Sequence, residues 1–134
     1  MAHNPILLDT NAVLRFLLKD IEEQALAAKA KIASGACMIP VEVIPEIVYV
    51  LSGPYGLPRT IITDKIEELC ALSADLVEKR HIVSYAVQLF AANTKLDIVD
   101  CLLAGYHKRT DNAVFTFDQD LQKQLEKQEA EKQQ

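Results

Sequence analysis

Short apolar runs of strand length alternate with helix-length amphipathic segments along this 134-residue chain. That rhythm constrains the fold more than any other feature, because strands separated by helices pack as a mostly parallel sheet with helices on its faces. Ile6-Leu7-Leu8, Cys37-Met38-Ile39, His81-Ile82-Val83 and Ala113-Val114-Phe115 are the expected strands. Ile6-Leu7-Leu8 is continuously apolar, as suits a strand covered on both faces. A helix is expected through Leu18, with Asp9-Thr10-Asn11 supplying its N-cap chemistry, then one from Glu22 to Ser34 with Gly35 as the stop, and one from Pro45 to about Ser52. Others are expected over Arg59 to Leu72, from a Ser84 cap to Ala92, and from about Ile98 to Lys108, with a last one starting at Gln119. Four Gly and five Pro supply too few turns for a many-stranded all-β fold. The expectation is an α/β fold over residues 1–121, with a central, mostly parallel four- to five-stranded sheet flanked by helices. Residues 122–134 are dominated by Gln, Lys and Glu and are expected to form a frayed polar tail.

A formal charge of −5 argues against a protein that holds nucleic acid by bulk positive charge. Cys37, Cys70 and Cys101 are odd in number and surrounded by apolar residues, so they read as small buried hydrophobes in a reducing compartment. His3, His81 and His107 are dispersed, and no Cys/His cluster offers a zinc site. Met1 to Pro5 lacks the pattern of a signal peptide, and the most apolar stretch, Ile39 to Leu51, carries Glu42 and Glu46. No membrane span is readable, and a cytoplasmic location is the default expectation.

The chemistry lies in where the carboxylates fall on this plan. Asp9 directly follows the first expected strand, and Asp118 follows the fourth. In an open parallel sheet, ligands sit beyond the C-terminal strand ends, so both acids are expected at one crevice. Glu46 opens the helix after the second strand, near the same edge, while Asp97 and Asp100 share a helical face. Asp9 and Asp118 also suit helix N-caps, and Glu46 suits the positive end of a helix. Asp100 is harder to explain structurally, because it precedes the apolar run Cys101-Leu102-Leu103-Ala104 and a charge facing a core is costly unless compensated. No Lys or Arg is adjacent in sequence to any of the five. Converging carboxylates of this kind suit a hard divalent cation, Mg2+ or Mn2+.

Leu8-Asp9-Thr10-Asn11, Glu46 within Pro45 to Leu51, Asp97-Ile98-Val99-Asp100-Cys101-Leu102-Leu103-Ala104 and Thr116-Phe117-Asp118 resemble the four signature segments of PIN-domain nucleases. Their order and spacing are similar to those of the compact VapC-type toxins of bacterial toxin–antitoxin pairs, and the resemblance spans residues 6 to 121. It implies a single PIN-like domain and a Mg2+- or Mn2+-dependent ribonuclease whose toxin activity inhibits translation. Its acidic quartet falls on Asp9, Glu46, Asp100 and Asp118, with Asp97 as a further candidate ligand and Asn11 and Thr116 as polar supports. The cation in such enzymes lowers the pKa of a bound water and stabilises charge developing at the phosphodiester. The resemblance further implies an RNA substrate, often tRNA, a homodimer, and an antitoxin whose amphipathic segment lies in a groove. Helices around Leu14-Leu17-Leu18, Ala25-Leu26 and Val48-Leu51-Tyr55 carry the apolar positions such a contact would use.

Substrate grip must come from few cations. Lys95, two residues before Asp97, is the expected phosphate contact, whereas Lys79-Arg80 and Lys108-Arg109 read as solvated ends. Asn11 stands where phosphatases of the haloacid dehalogenase type need a second Asp, which argues against that class. The alternative reading is a non-catalytic PIN-like module whose acidic pocket holds a basic partner in RNA processing.

Overall fold

A parallel strand pair organises the first half of the chain. In the computed structural model, which describes residues 4–133, β1 (Ile6–Leu7) and β2 (Cys37–Met38) pair with Ile6 opposite Cys37 and Leu7 opposite Met38. The ladder is carried by Ile6 N–H donating to Ala36 O at 2.7 Å and Leu8 N–H to Met38 O at 3.0 Å. Ile39 extends β2 into a parallel bridge with Val77, so β2 has pairing on both sides. Met1 to His3 and Gln134, included in the expected 1–121 domain and 122–134 tail, lie outside the described residues, as does the dispersed His3.

The chain divides into two compact units, Met1–Arg80 and His81–Gln134. The first holds β1, α1 (Thr10–Leu18), α2 (Glu22–Ala33), β2, α3 (Val43–Ser52) and α4 (Arg59–Leu72). Its buried residues include Val13, Leu14 and Leu17 of α1, Ile44, Ile47, Val48 and Leu51 of α3, and Ile62, Ile66 and Leu69 of α4. These recur at helical spacing, which is why the periodicity locates the helices well. Gly35 ends the loop after α2 with φ +76°, a conformation that glycine takes without strain. The second unit is built on α5 (Arg80–Ala92), α6 (Ile98–Thr110) and α7 (Gln119–Lys132).

Three expectations need correction. The four- to five-stranded sheet is not seen among the described residues: seven helices accompany one two-stranded parallel sheet and the Ile39–Val77 bridge. The third run of extended pairing is at Val77, with Ile39 N–H donating to Leu76 O and Glu78 N–H to Ile39 O, and not at His81 to Val83. Ile82 and Val83 belong to α5, where they share a buried stripe with Ala86, Val87 and Phe90; a helical period was hidden in a short β-branched run. Ser84, expected as a cap, lies inside that helix. Ala113 to Phe115 forms no strand, because extended backbone becomes a strand only when a neighbouring ladder takes up its hydrogen bonds. Phe115 and Phe117 are exposed and meet edge to face, with ring centroids 5.2 Å apart.

The third correction concerns the polar tail. Helix α7 continues to Lys132, and Gln128 is fully buried with every amide group used. Its Nε2 donates to Ala104 O at 3.0 Å, and its Oε1 accepts from Gln124 Nε2 at 2.9 Å and from Tyr85 Oη at 3.0 Å. Leu121, Gln124 and Gln128 recur at i, i+3 and i+7, so the buried face has helical spacing but is made of amides. Outside it, His107 is held between Asn112 O at 2.8 Å from Nδ1 and Glu129 at 2.7 Å from Nε2.

Helices α5 and α6 approach closely at Gly105. A Cβ there would lie 3.0 Å from Ile82 O and 3.1 Å from Ile82 Cγ2, so the contact depends on the missing side chain. Gly105→Ala is expected to lower stability by about 1–3 kcal/mol through overpacking, as read from denaturant unfolding. The three cysteines are free and buried, and burial pushes the Cys70 thiol up to about 11, leaving it unreactive at neutral pH. No helix among the described residues is long and apolar enough to cross a membrane.

Candidate active site

In the first unit, Asp9 leaves β1 and caps α1, its Oδ1 accepting from Ala12 N–H at 2.8 Å. Its extended backbone, φ −81° and ψ 175°, turns the carboxylate back onto the open first turn. Asn11 is exposed in the same first turn. Glu46 is exposed in the first turn of α3, the helix that follows β2. Because β1 and β2 are parallel, Asp9 and the start of α3 both follow carboxyl strand ends, where open α/β sheets place their ligands.

The second unit holds the other three acids. Asp97 caps α6, its Oδ1 accepting from Asp100 N–H at 2.9 Å, and Asp118 caps α7, its Oδ1 accepting from Leu121 N–H at 2.9 Å. Thr116 Oγ1 accepts from Asp118 N–H at 3.0 Å, so the expected polar support acts by fixing the Asp118 backbone. Gln122 Nε2 donates to Thr116 O at 2.8 Å and secures the same turn. Nothing in the residue order marks Gln122 for this contact. Lys95 is exposed, and its N–H donates to Asn93 Oδ1 at 3.1 Å.

Asp100 differs from the other four. It is half-buried in the first turn of α6, and its carboxyl is raised above the usual carboxylate range. Burial is the largest cause, followed by the negative charge of Asp97 and, more weakly, that of Asp118, while a hydrogen bond from the backbone opposes them. No cation enters that balance. The three acids are therefore close enough to repel, and a divalent cation would reverse the sign of the interaction.

Three of the five candidates are thus helix caps, the bland reading that Asp9 and Asp118 admitted from the start. A cap and a ligand are compatible here, since each cap bond uses only Oδ1 and leaves Oδ2 outside it. The donor set consists of carboxylate oxygens, which fits a hard cation such as Mg2+ or Mn2+. Among the described residues, no group of three or more His, Cys, Asp or Glu side chains is already arranged around a cation position.

The raised Asp100 carboxyl gives a pH prediction for protein kept in chelator. A carboxyl whose folded pKa lies above its unfolded value contributes stability that is fully present below the unfolded value and is lost as pH rises through the folded one. Metal-free Asp100→Asn should therefore melt above the wild type at neutral pH, and the difference should shrink as pH falls through the ordinary Asp range. Thermal melts across that range, in chelator, check both signs.

Acids at the carboxyl ends of a parallel strand pair in the first unit and at helix N-termini in the second belong to an α/β protein, and their oxygens are donors of the kind a hard cation takes. The family described as PIN domain matches residues 6–127, and the chain belongs to that family, whose members are generally nucleases. No curated protein and no solved structure matches the chain.

Proposed function

We propose that this protein is a divalent-metal-dependent endoribonuclease and the toxin of a toxin–antitoxin pair that acts in the cytoplasm and inhibits translation. Membership of the PIN-domain family over residues 6–127 carries the nuclease reading. The repulsion of Asp100 by Asp97 and Asp118 supports the metal dependence.

Asp9 and Asp100 are the principal ligands in this reading, with Glu46 and Asp118 as further ligands or water-positioning groups and Asp97 as a fifth acid. A bound cation would supply positive charge toward the phosphodiester oxygens and raise the acidity of water. The chain's own part is to hold that charge in place. The cap bonds of Asp9, Asp97 and Asp118 fix each carboxylate against a helix end, and Thr116 fixes the Asp118 backbone. Asn11 supports the turn that carries Asp9, and Lys95 meets a substrate phosphate.

The partners follow from the same reading: RNA, including tRNA, as substrate, a homodimer, and an antitoxin. Leu14, Leu17, Val48 and Leu51 are buried and therefore unavailable to a partner, while Leu26 and Tyr55 are exposed. Phe16, Ala25 and Leu26 line a groove of about 400 Å3 together with Lys19, Glu22, Lys29 and Glu68. An amphipathic antitoxin segment is proposed to lie there, with apolar anchors inside and charges at the rim.

Expression of the chain in a bacterium without an antitoxin tests the toxin reading. Growth and translation should stop with the wild type and continue with Asp9→Asn or Asp100→Asn. Unimpaired growth with soluble wild-type protein would remove the toxin role, and a non-catalytic binding module would then account for the acidic residues.

A further inference from the structure

We propose that Lys95, Lys123 and Lys127 form a phosphate track that holds the backbone of a single-stranded RNA beside the acidic cluster of the second unit. The inference rests on the ribonuclease reading and adds two residues of the presumed tail to it. All three lysines line one groove of about 320 Å3, completed by Asn93, Asp120 and Gln124.

The other cations of this unit are engaged elsewhere. Lys108 pairs with Glu131 at 3.8 Å, Lys132 pairs with Asp111 and Glu129, and the Arg109 guanidinium lies over the Tyr85 ring at 5.6 Å. Lys95, Lys123 and Lys127 are exposed and make no ion pair among the described residues. Three lysines outside any ion pair, against the single carboxylate of Asp120 among the groove's lining residues, leave the groove with an excess of positive charge for a phosphate.

Their placement is fixed by well-held backbone. Lys123 and Lys127 are one helical step of four residues apart on α7, so they share a face and are offset by about 6 Å along the axis. Gln124, between them in the groove, is buried and bonded to Gln128. The Asn93 side chain holds the Lys95 backbone at 3.1 Å. Lys95 precedes the α6 cap Asp97 by two residues, and Lys123 follows the α7 cap Asp118 by five. The track therefore runs along the first half of α7 with Lys95 at the same groove, covering more than one phosphate of a strand.

Each lysine–phosphate contact on single-stranded nucleic acid contributes about 0.7 to the slope of log affinity against log salt. The binding test uses a short fluorescent single-stranded RNA and full-length Asp100→Asn protein in chelator, so that cleavage does not interfere. Adding Lys123→Gln and Lys127→Gln should flatten that slope by about 1.4, and adding Lys95→Gln alone by about 0.7. In the otherwise wild-type enzyme the double substitution should raise KM about tenfold with kcat within about twofold, as loss of uniform binding predicts. Lys31→Gln, at an exposed position of α2, should leave both readouts unchanged. An unchanged slope and KM in an enzyme that cleaves RNA would overturn the track, as would a fall in kcat with KM unaltered. A wild-type protein that neither binds nor cuts RNA in Mg2+ or Mn2+ would instead overturn the ribonuclease reading on which the track depends.

Discussion

Replacing Asp100 by Asn should slow RNA cleavage by about 10²- to 10³-fold while leaving the fold intact, the scale seen when one preorganised electrostatic group is removed from an active site. The structural side is protected because Asp97 bonds to the backbone N–H of residue 100, at 2.9 Å, which the substitution does not touch. Asn also removes a charge that the half-buried site and two neighbouring carboxylates disfavour. Activity and metal-free stability should therefore move in opposite directions, a pairing that general damage to the fold cannot produce. Single-turnover cleavage in saturating Mg2+ or Mn2+, set beside melts in chelator, measures both. Retained activity would remove Asp100 from the proposed site. At Asp9, Asp97 and Asp118 the choice of substitution matters more: Asn keeps a side-chain cap acceptor, whereas Ala costs about 1 kcal/mol of helix stability and confounds the result.

The second large effect lies in the packing of α7 against α6. Gln128→Ala should destabilise the protein by about 2–4 kcal/mol, because Tyr85 Oη and Gln124 Nε2 each lose a partner inside the fold and an unsatisfied buried polar group costs about 1–3 kcal/mol. Glu126→Ala, on the exposed face of the same helix, should stay within about 0.5 kcal/mol of the wild type. Denaturant unfolding at fixed pH distinguishes them. Equal stability of the two variants would mean that α7 docks without its amide network.

The helices were readable because their periodic apolar faces are long. Arg59–Leu72 has the expected limits, and α1 ends at the expected Leu18 with Asp9, the first of the three residues expected to supply its cap, as the N-cap. The strands were readable in part: the first two expected runs hold β1 and β2, whereas the other two are not strands, because a run of three residues is compatible with either state. His81 to Val83 shows the consequence: its period emerges only when Ala86, Val87 and Phe90 are included. Gln128 failed for a different reason, since an amide is conventionally solvent-facing and becomes buried only when every donor and acceptor finds a partner.

At the site, sequence placed all five acids at helix starts, and each is found there. Sequence alone did not separate capping from ligation, because both favour a carboxylate at the same position. Thr116 illustrates the gap between a role and its mechanism: its support of Asp118 is a hydroxyl accepting from the backbone N–H, a contact invisible in the residue order.

Cleavage of RNA by purified full-length protein, titrated with Mg2+ and with Mn2+ and prepared in parallel with Asp9→Asn, tests the central claim most directly. The account predicts cleavage that rises with either cation, stops in EDTA, returns when the cation is restored in excess, and is lost in Asp9→Asn. Equal cleavage by the wild type and Asp9→Asn, or cleavage by the wild type that persists in EDTA, would contradict it.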